Sequence, residues 1–446
     1  MNKKILIAGL LVSVMLLVPI NSAYSNIDIQ IDDKTAITSH RGDTLYVGGS
    51  GPYNYTKIQD AIDDASDGDT VFVYNDSSPY YESIQINESI NLIGEDRNTT
   101  AIIDNSSEHS IYIKTDNVSI REFTIQNSNK WGIRIEYYFG NCTISENIIL
   151  NNNWSGISMH FSNNNIIKDN TFFDNNAMLL ACCNNNTISD NTINHSIFAP
   201  NYGYGICLLS NSRWNNISGN IIKDNDEGIK LFYSEYNFIF NNIITSNEGY
   251  GIEIRDSSDN SIFGNNISYN CDPGIYIKES ANNNIIYKNN FVYNAGNAVD
   301  EGNNIWDDGD YGNYWNDYEE KYPLAIPKLL KPWMWNTPYE IDGGNSKDNC
   351  PLIKPWPKSK SKSVTSDIEE DCFECQSDDR PICNLLNKTI QRLWNLDYYY
   401  YCLISTISED SILYDIILFS AYLNIGIIAR LERIGIILKC GLPLSL

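Results

Sequence analysis

Between Gly132 and Ile277 the chain repeats one short phrase: Gly132-Ile133-Arg134-Ile135, Gly156-Ile157-Ser158-Met159, Gly205-Ile206-Cys207-Leu208, Gly228-Ile229-Lys230-Leu231, Gly251-Ile252-Glu253-Ile254 and Gly274-Ile275-Tyr276-Ile277. The last four copies start 23 residues apart. A period of that size specifies stacked units that each bury an apolar side against the next, not one globular core.

A second register, Ile-x-x-Asn-x-Ile/Phe, keeps step with the first and recurs at Asn147, Asn170, Asn191, Asn220, Asn242, Asn265 and Asn289. The one long interval contains Asn194 to Gly203, which reads as a loop pushed out of a single coil. Each half-phrase is four or five residues of alternating apolar and polar side chains, rich in Ile and bounded by Gly and Asn, which is a strand signal. Short strands with no crossover helix between them must stack in parallel on their own predecessors, and the expected product is an all-β, right-handed parallel β-helix. The recurrent Asn are expected as an internal structural ladder at one turn of every coil, where Asn tolerates left-handed backbone and offers both donors and acceptors. The neighbouring Ile argue against a solvent-facing ligand site.

The chain has 446 residues and a formal net charge of −25, which repels phosphate and excludes nucleic acid as a partner. Residues 1–25 read as an export signal: Lys3 and Lys4, an apolar run from Ile5 to Val18, then the small residues Ala23 and Ser25. The expected location is therefore secreted or cell-surface. Asn-x-Ser/Thr triplets at Asn54, Asn87, Asn98, Asn117, Asn141, Asn216 and Asn266 are acceptors for N-glycans where the host makes them, although an Asn-rich chain also generates such triplets by accident.

Residues 26–54 form a lead-in, and 55–305 the β-helix. Ile58, Ala61, Ile62 and Ala65 fall at helical spacing, so a short amphipathic helix is expected to plug the open end before Thr70-Val71-Phe72-Val73. Residues 306–357 turn aromatic and acidic and read as a C-terminal cap in which Trp306, Tyr314 and Trp315 cover the last coil. A Lys/Ser linker follows at 358–366. The tail, 367–446, carries Cys372, Cys375, Cys383, Cys402 and Cys440 and the apolar stretch Ile412 to Ala429. Asp415 inside that stretch is costly in hydrocarbon, which favours a small disulfide-linked helical module over a membrane span, with membrane association through the tail as the alternative. Cys372-Phe-Glu-Cys375 has zinc-knuckle spacing but no second pair and no His nearby.

Three stretches are similar to the NosD-like family of parallel β-helix repeat proteins, in the pectin-lyase-like superfamily. They are Tyr55-Thr56-Lys57-Ile58-Gln59-Asp60-Ala61-Ile62 through Val73, the repeat phrases, and Gly312-Asn313-Tyr314-Trp315-Asn316-Asp317-Tyr318 with Asp348-Asn349-Cys350-Pro351-Leu352-Ile353. The cap resembles the Gly-Asn-Tyr-Trp-Ser-Asp-Tyr motif that closes many secreted archaeal members. The resemblance implies roles in carbohydrate binding or sugar hydrolysis. It also implies copper handling, but the few His (His40, His109, His160, His195) lie far apart and no Met-rich run exists, so that role does not carry over.

Stacked strands set outward side chains about 5 Å apart. One patch stands out: Lys230, Glu253, Arg255, Asp256, Lys278 and Glu279 on three successive coils mix signs as a sugar-acid site would. A ladder of solvated cross-strand ion pairs is the plainer reading. A second cluster joins Arg134, Glu136 and His160, with His160 as a base. Tyr233, Phe232 and Tyr276 are placed to stack on sugar rings. Asp307, Asp308, Asp310 and Asp317 offer oxygen ligands for calcium; no other cofactor is expected. The sequence thus reads as a surface β-helix that binds a polysaccharide or cell-surface glycan without catalysis. The alternatives are a polysaccharide lyase or glycoside hydrolase using Lys230, Glu253 and Arg255, and a structural envelope protein.

Overall fold

The structure is a computed structural model that describes residues 42–104, 108–196 and 203–357. The export signal, the linker, the tail with its cysteines and most of the Asn194–Gly203 loop lie outside the described residues. Among the described residues no helix is long and apolar enough to cross a membrane.

Three parallel sheets of eleven, ten and ten strands run the length of a right-handed β-helix, and each strand pairs with the strands one coil before and one coil after it. Right-handed crossovers follow from the twist of L-residue strands. The first sheet holds strands such as Thr143–Ser145, the second Ile148–Leu150, and the third the Gly-Ile phrases, such as Ser155–His160 and Glu227–Phe232. Eleven strands at about 4.8 Å each stack over roughly 48 Å. The first sheet begins at Thr44–Val47, paired with Thr70–Val73, so the coil starts inside the stretch read as lead-in. Helix Ile58–Asp63 lies between those two strands and buries Ile58, Ala61 and Ile62.

The core is a set of vertical columns. Ile125, Ile149, Phe172, Ile193, Ile222, Ile244, Ile267, Phe291 and Trp315 sit in exact register down the second sheet, all fully or almost fully buried. Each such residue contributes about 1.5–3 kcal/mol by leaving water. The Gly of the phrase is there for close approach: a Cβ on Gly228 would lie 2.3 Å from the carbonyl oxygen of Gly251 and 2.7 Å from Ile244 Cγ2.

Three asparagine ladders line the corners. In the one the sequence announced, each amide oxygen accepts from the backbone N–H and the side-chain amide of the preceding coil's Asn. Asn191 N and Nδ2 thus both reach Asn220 Oδ1 at 3.0 Å, and Asn220 Nδ2 donates back to Ile188 O at 2.9 Å. Asn147 through Asn289 are all buried, and the ladder ends on Asn313. The expectation of left-handed backbone at these Asn is corrected. The residue before each one takes it: Glu146, Asp169, Asp190, Gly219, Asn241, Gly264 and Lys288 have φ between 55° and 69°. A second ladder runs from Asn165 through Asn186, Asn215, Asn237, Asn260 and Asn284 to Asn304. A third, Asn152–Asn175 and Asn225–Asn247–Asn270–Asn294, is broken by Ser196.

At the far end Trp315 extends the second-sheet column, stacking on Phe291 at 4.4 Å and on Tyr339 at 4.0 Å. Trp306 is also buried, whereas Tyr314 is half-buried and bridges to Leu352. Both indoles donate to buried carboxylates, Trp306 to Asp300 and Trp315 to Asp348.

Candidate functional site

In the third sheet Ile229 and Leu231, and Ile252 and Ile254, belong to the core, so the alternating Lys230, Phe232, Glu253 and Arg255 stand on the outer face. There Lys230 Nζ lies 2.9 Å from Glu253 Oε2 and 3.9 Å from Glu227 Oε2. It also donates to the Tyr204 hydroxyl at 3.1 Å, with its ammonium 4.6 Å over that ring. The Arg255 guanidinium grips the other oxygen of Glu253. Three expected residues are therefore brought together. They do not form a solvated ladder or an open cleft, however: Lys230 is 1% exposed and Glu253 fully buried. Asp256 follows in a left-handed turn and makes no ion pair with the cluster among the described residues; Lys278 is half-buried and Glu279 exposed.

Sequence reasoning missed Glu227 and Tyr204. Both precede the Gly of their phrase, and Tyr204 is in register with Glu227. Counting outward positions from the Gly skipped this row.

Burial pushes the Glu227 carboxyl up to about 8, an effect that Lys230 only partly offsets. Glu253 behaves oppositely: burial would raise it, but Lys230 and Arg255 outweigh burial and hold it below the usual carboxylate range. Burial would likewise lower Lys230, and Glu227 and Glu253 reverse that and keep its ammonium charged. The cluster thus carries one protonated and one ionised carboxyl at neutral pH.

The second cluster gathers around Tyr137. Arg134 is buried with its guanidinium 4.2 Å over the Trp131 ring and Nη2 donating to the Tyr137 hydroxyl at 3.1 Å. Glu136 accepts from the backbone N–H of Tyr137, and burial raises its carboxyl. His160 packs edge-on to Tyr137, and burial, with Arg134, pushes it down to about 3, which leaves it neutral and a poor base. Tyr276 has a face committed to Tyr250, 4.9 Å away, while its hydroxyl donates to Glu301. Tyr233 is exposed and meets Phe232 edge-on.

The four acidic cap residues do not converge. Asp308 pairs with Lys288 at 2.7 Å, Asp310 with Lys331 at 2.7 Å, Asp307 accepts from Asn349, and Asp317 from Tyr339 and Asn297. Among the described residues no group of three or more His, Cys, Asp or Glu could hold a metal ion. The four carboxylates that spacing offered to calcium are thus each engaged by a different partner.

The cap instead holds a groove of about 390 Å³ that the sequence did not disclose, lined by Tyr311, Pro332, Trp333, Leu352, Ile353, Lys354, Pro355 and Trp356. Tyr311 stands 6.1 Å from Trp333 and 5.4 Å, edge-on, from Trp356, and Lys288 lies over Tyr311 and Trp356. Trp333 is 44% exposed. Aromatic walls with charged groups at the rim suit a ligand that has both apolar and hydroxyl surface.

Residues 196–320 match the family model described as periplasmic copper-binding protein (NosD), and residues 90–234 match that of the right handed beta helix region. A cell surface glycoprotein of Methanothermus fervidus is 33% identical over 65% of this chain and 55% of its own length, so the chain spans about half of that relative. Among solved structures, the enzymatically active domain of tailspike protein 2 from bacteriophage CBA120 is 15% identical with a TM-score of 0.44, over 61% of this chain and 47% of that one. The A-module of mannuronan C-5 epimerase AlgE4 from Azotobacter vinelandii is 17% identical with a TM-score of 0.38, over 54% and 74%. Likeness at this level says nothing about chemistry. The described residues do not fit a copper centre, since His109, His160 and His195 stand on separate coils and no soft-ligand cluster exists among them. The two family-model matches, which overlap at residues 196–234, together with the observed coils support a NosD-like right-handed parallel β-helix protein.

Proposed function

We propose that this protein is a cell-surface β-helix that binds a neutral glycan without cleaving it, with the sugar seated in the aromatic groove of the cap. The groove itself carries the reading: Trp333 offers an exposed indole beside Tyr311 and Trp356, and pyranose rings present C–H faces that stack on such planes. Lys354 at the wall and the Lys331–Asp310 pair nearby supply hydrogen-bonding groups for hydroxyls. The net charge of −25 disfavours polyanionic chains and points to a neutral one.

The surface location is supported by the relative named a cell surface glycoprotein. In keeping with it, the side chains of the triplet residues Asn98, Asn117, Asn141 and Asn216 are exposed and open to N-glycosylation, whereas Asn266 is half-buried. Binding without cleavage is supported by the closed state of the Lys230–Glu253–Arg255 assembly, whose carboxylate a substrate would reach only by displacing its partners. Titration of neutral and acidic oligosaccharides, followed by tryptophan fluorescence, tests the reading. Saturable binding of a neutral glycan is expected, lost in Trp333→Ala and kept in Tyr53→Ala, a change at a residue 93% exposed elsewhere. Binding that survives Trp333→Ala, or that favours polyanions, overturns it.

A further inference from the structure

The outer face of the third sheet buries long side chains, whereas on the outer faces of the other two the buried residues are polar ones such as Ser145, Thr245, Ser268 and Asn290. Ser158, Ala181, Cys207, Leu209, Lys230 and Glu253 all point away from the core and are between 0 and 4% exposed. Outward residues of the first sheet, such as Ile166 and Phe238, are each 41% exposed, and Phe173 of the second is 42% exposed. The apolar neighbours that pack on Ala181, Cys207 and Leu209 are Leu179, Tyr204 and Phe232, which belong to that same face. Side chains standing side by side on a sheet cover one another's flanks, not the tips of long residues such as Leu209 and Lys230, which marks this face as one that takes a cover. The buried strip crosses five strands, from Ser155–His160 to Ile252–Arg255, or roughly 19 Å at about 4.8 Å per coil.

Two segments outside the described residues lie at hand. The loop at 197–202 leaves Ser196 and must return to Gly203, so its reach out and back is about 10 Å at ~3.5 Å per residue, enough for one or two coils. The C-terminal segment is long and apolar enough for the whole strip. Its stretch Ile412 to Ala429 measures roughly 27 Å at 1.5 Å per residue if helical. A covalent marker agrees. Cys271, which enters the third-sheet strand Pro273–Ile277, is disulfide-bonded, while the other described cysteines, Cys142, Cys182, Cys183, Cys207 and Cys350, form no disulfide. Every remaining cysteine of the chain lies between Cys372 and Cys440.

We propose that the outer face of the third sheet is the docking surface for the chain's own C-terminal segment, residues 384–440, which is tethered there by a disulfide between Cys271 and a tail cysteine. Closing that bond removes two protons and two electrons from the two thiols; a thiol–disulfide oxidant outside the cytoplasm takes them and is itself reduced to a dithiol. The proposal is independent of the glycan reading, whose groove lies in the cap.

The test uses the full chain. Peptide mapping without reductant is expected to find Cys271 joined to one of Cys372, Cys375, Cys383, Cys402 or Cys440 of the same molecule. After trypsin cleavage in the linker at Lys358 to Lys362, the tail stays attached until reductant is added. Cys207 then serves as the reporter: its alkylation by a maleimide is expected to rise at least tenfold once the tail has been released. A free Cys271 overturns the proposal, as does a bond from Cys271 to a second copy. Cys207 that labels equally fast before and after release places a different cover on the face and overturns it too. So does partition of the intact chain into lipid vesicles through its tail.

Discussion

Trp315 Nε1 donates a 2.9 Å hydrogen bond to Asp348, 33 residues later, and both residues are buried. Asp348 also accepts from the backbone N–H groups of Asn313 and Cys350, and a Cβ on Gly312 would lie 1.8 Å from its carboxylate. The paired cap motifs are therefore one device: Gly312 leaves room, Asn313 ends the ladder, Trp315 ends the core column and Asp348 gathers their donors. Burial pushes the Asp348 carboxyl up to about 7. Trp315→Phe keeps the ring stack and removes the donor, and is expected to cost about 1–3 kcal/mol in urea unfolding. The same change at exposed Trp333 should stay within about 0.5 kcal/mol.

The ladder predicts a position-specific cost. Asn220→Ala removes the acceptor shared by Asn191 N and Nδ2 and the donor to Ile188 O, leaving buried polar groups without partners. A loss of about 2–4 kcal/mol is expected by thermal or chemical melting. Asn216→Ala, four residues earlier and exposed, should be nearly silent.

Much of this was legible in the chain, and what was not has physical causes. The Gly-Ile phrase and the Asn147 row stood out because apolar residues bracket each copy. The Asn165 ladder was hidden inside runs such as Asn163-Asn164-Asn165, where neighbouring Asn have quite different duties: Asn164 takes the left-handed turn at φ 60° and Asn165 the ladder. The third ladder was masked by its break at Ser196. The outward placement of Lys230, Glu253 and Arg255 followed from alternation, but their burial depends on what lies over the face, which no local period encodes.

Gly228→Ala tests why the phrase begins with Gly. The added methyl would meet the Gly251 carbonyl oxygen at 2.3 Å, so adjacent coils must shift. A loss of about 1–3 kcal/mol is expected, with the fold retained by circular dichroism.

The charged cluster predicts a pH dependence. Glu227 is raised to about 8 in the folded chain, so between about pH 4.5 and 8 the folded state keeps a proton that the unfolded state has lost, and stability falls with rising pH through that window. Glu227→Gln removes this contribution. Relative to the parent chain, the variant should gain on the order of 3 kcal/mol between pH 5 and pH 8. Parallel melting curves for the two proteins would contradict the assignment.

Whether the protein binds glycan or also breaks it is settled most directly by incubating the purified chain with a panel of neutral and acidic polysaccharides and measuring new reducing ends and unsaturated sugars, alongside retention of the protein on the same polymers. The account predicts retention on a neutral polymer that depends on Trp333, with no new ends above a heat-denatured control. Release of reducing ends or unsaturated sugars by the native chain would contradict it.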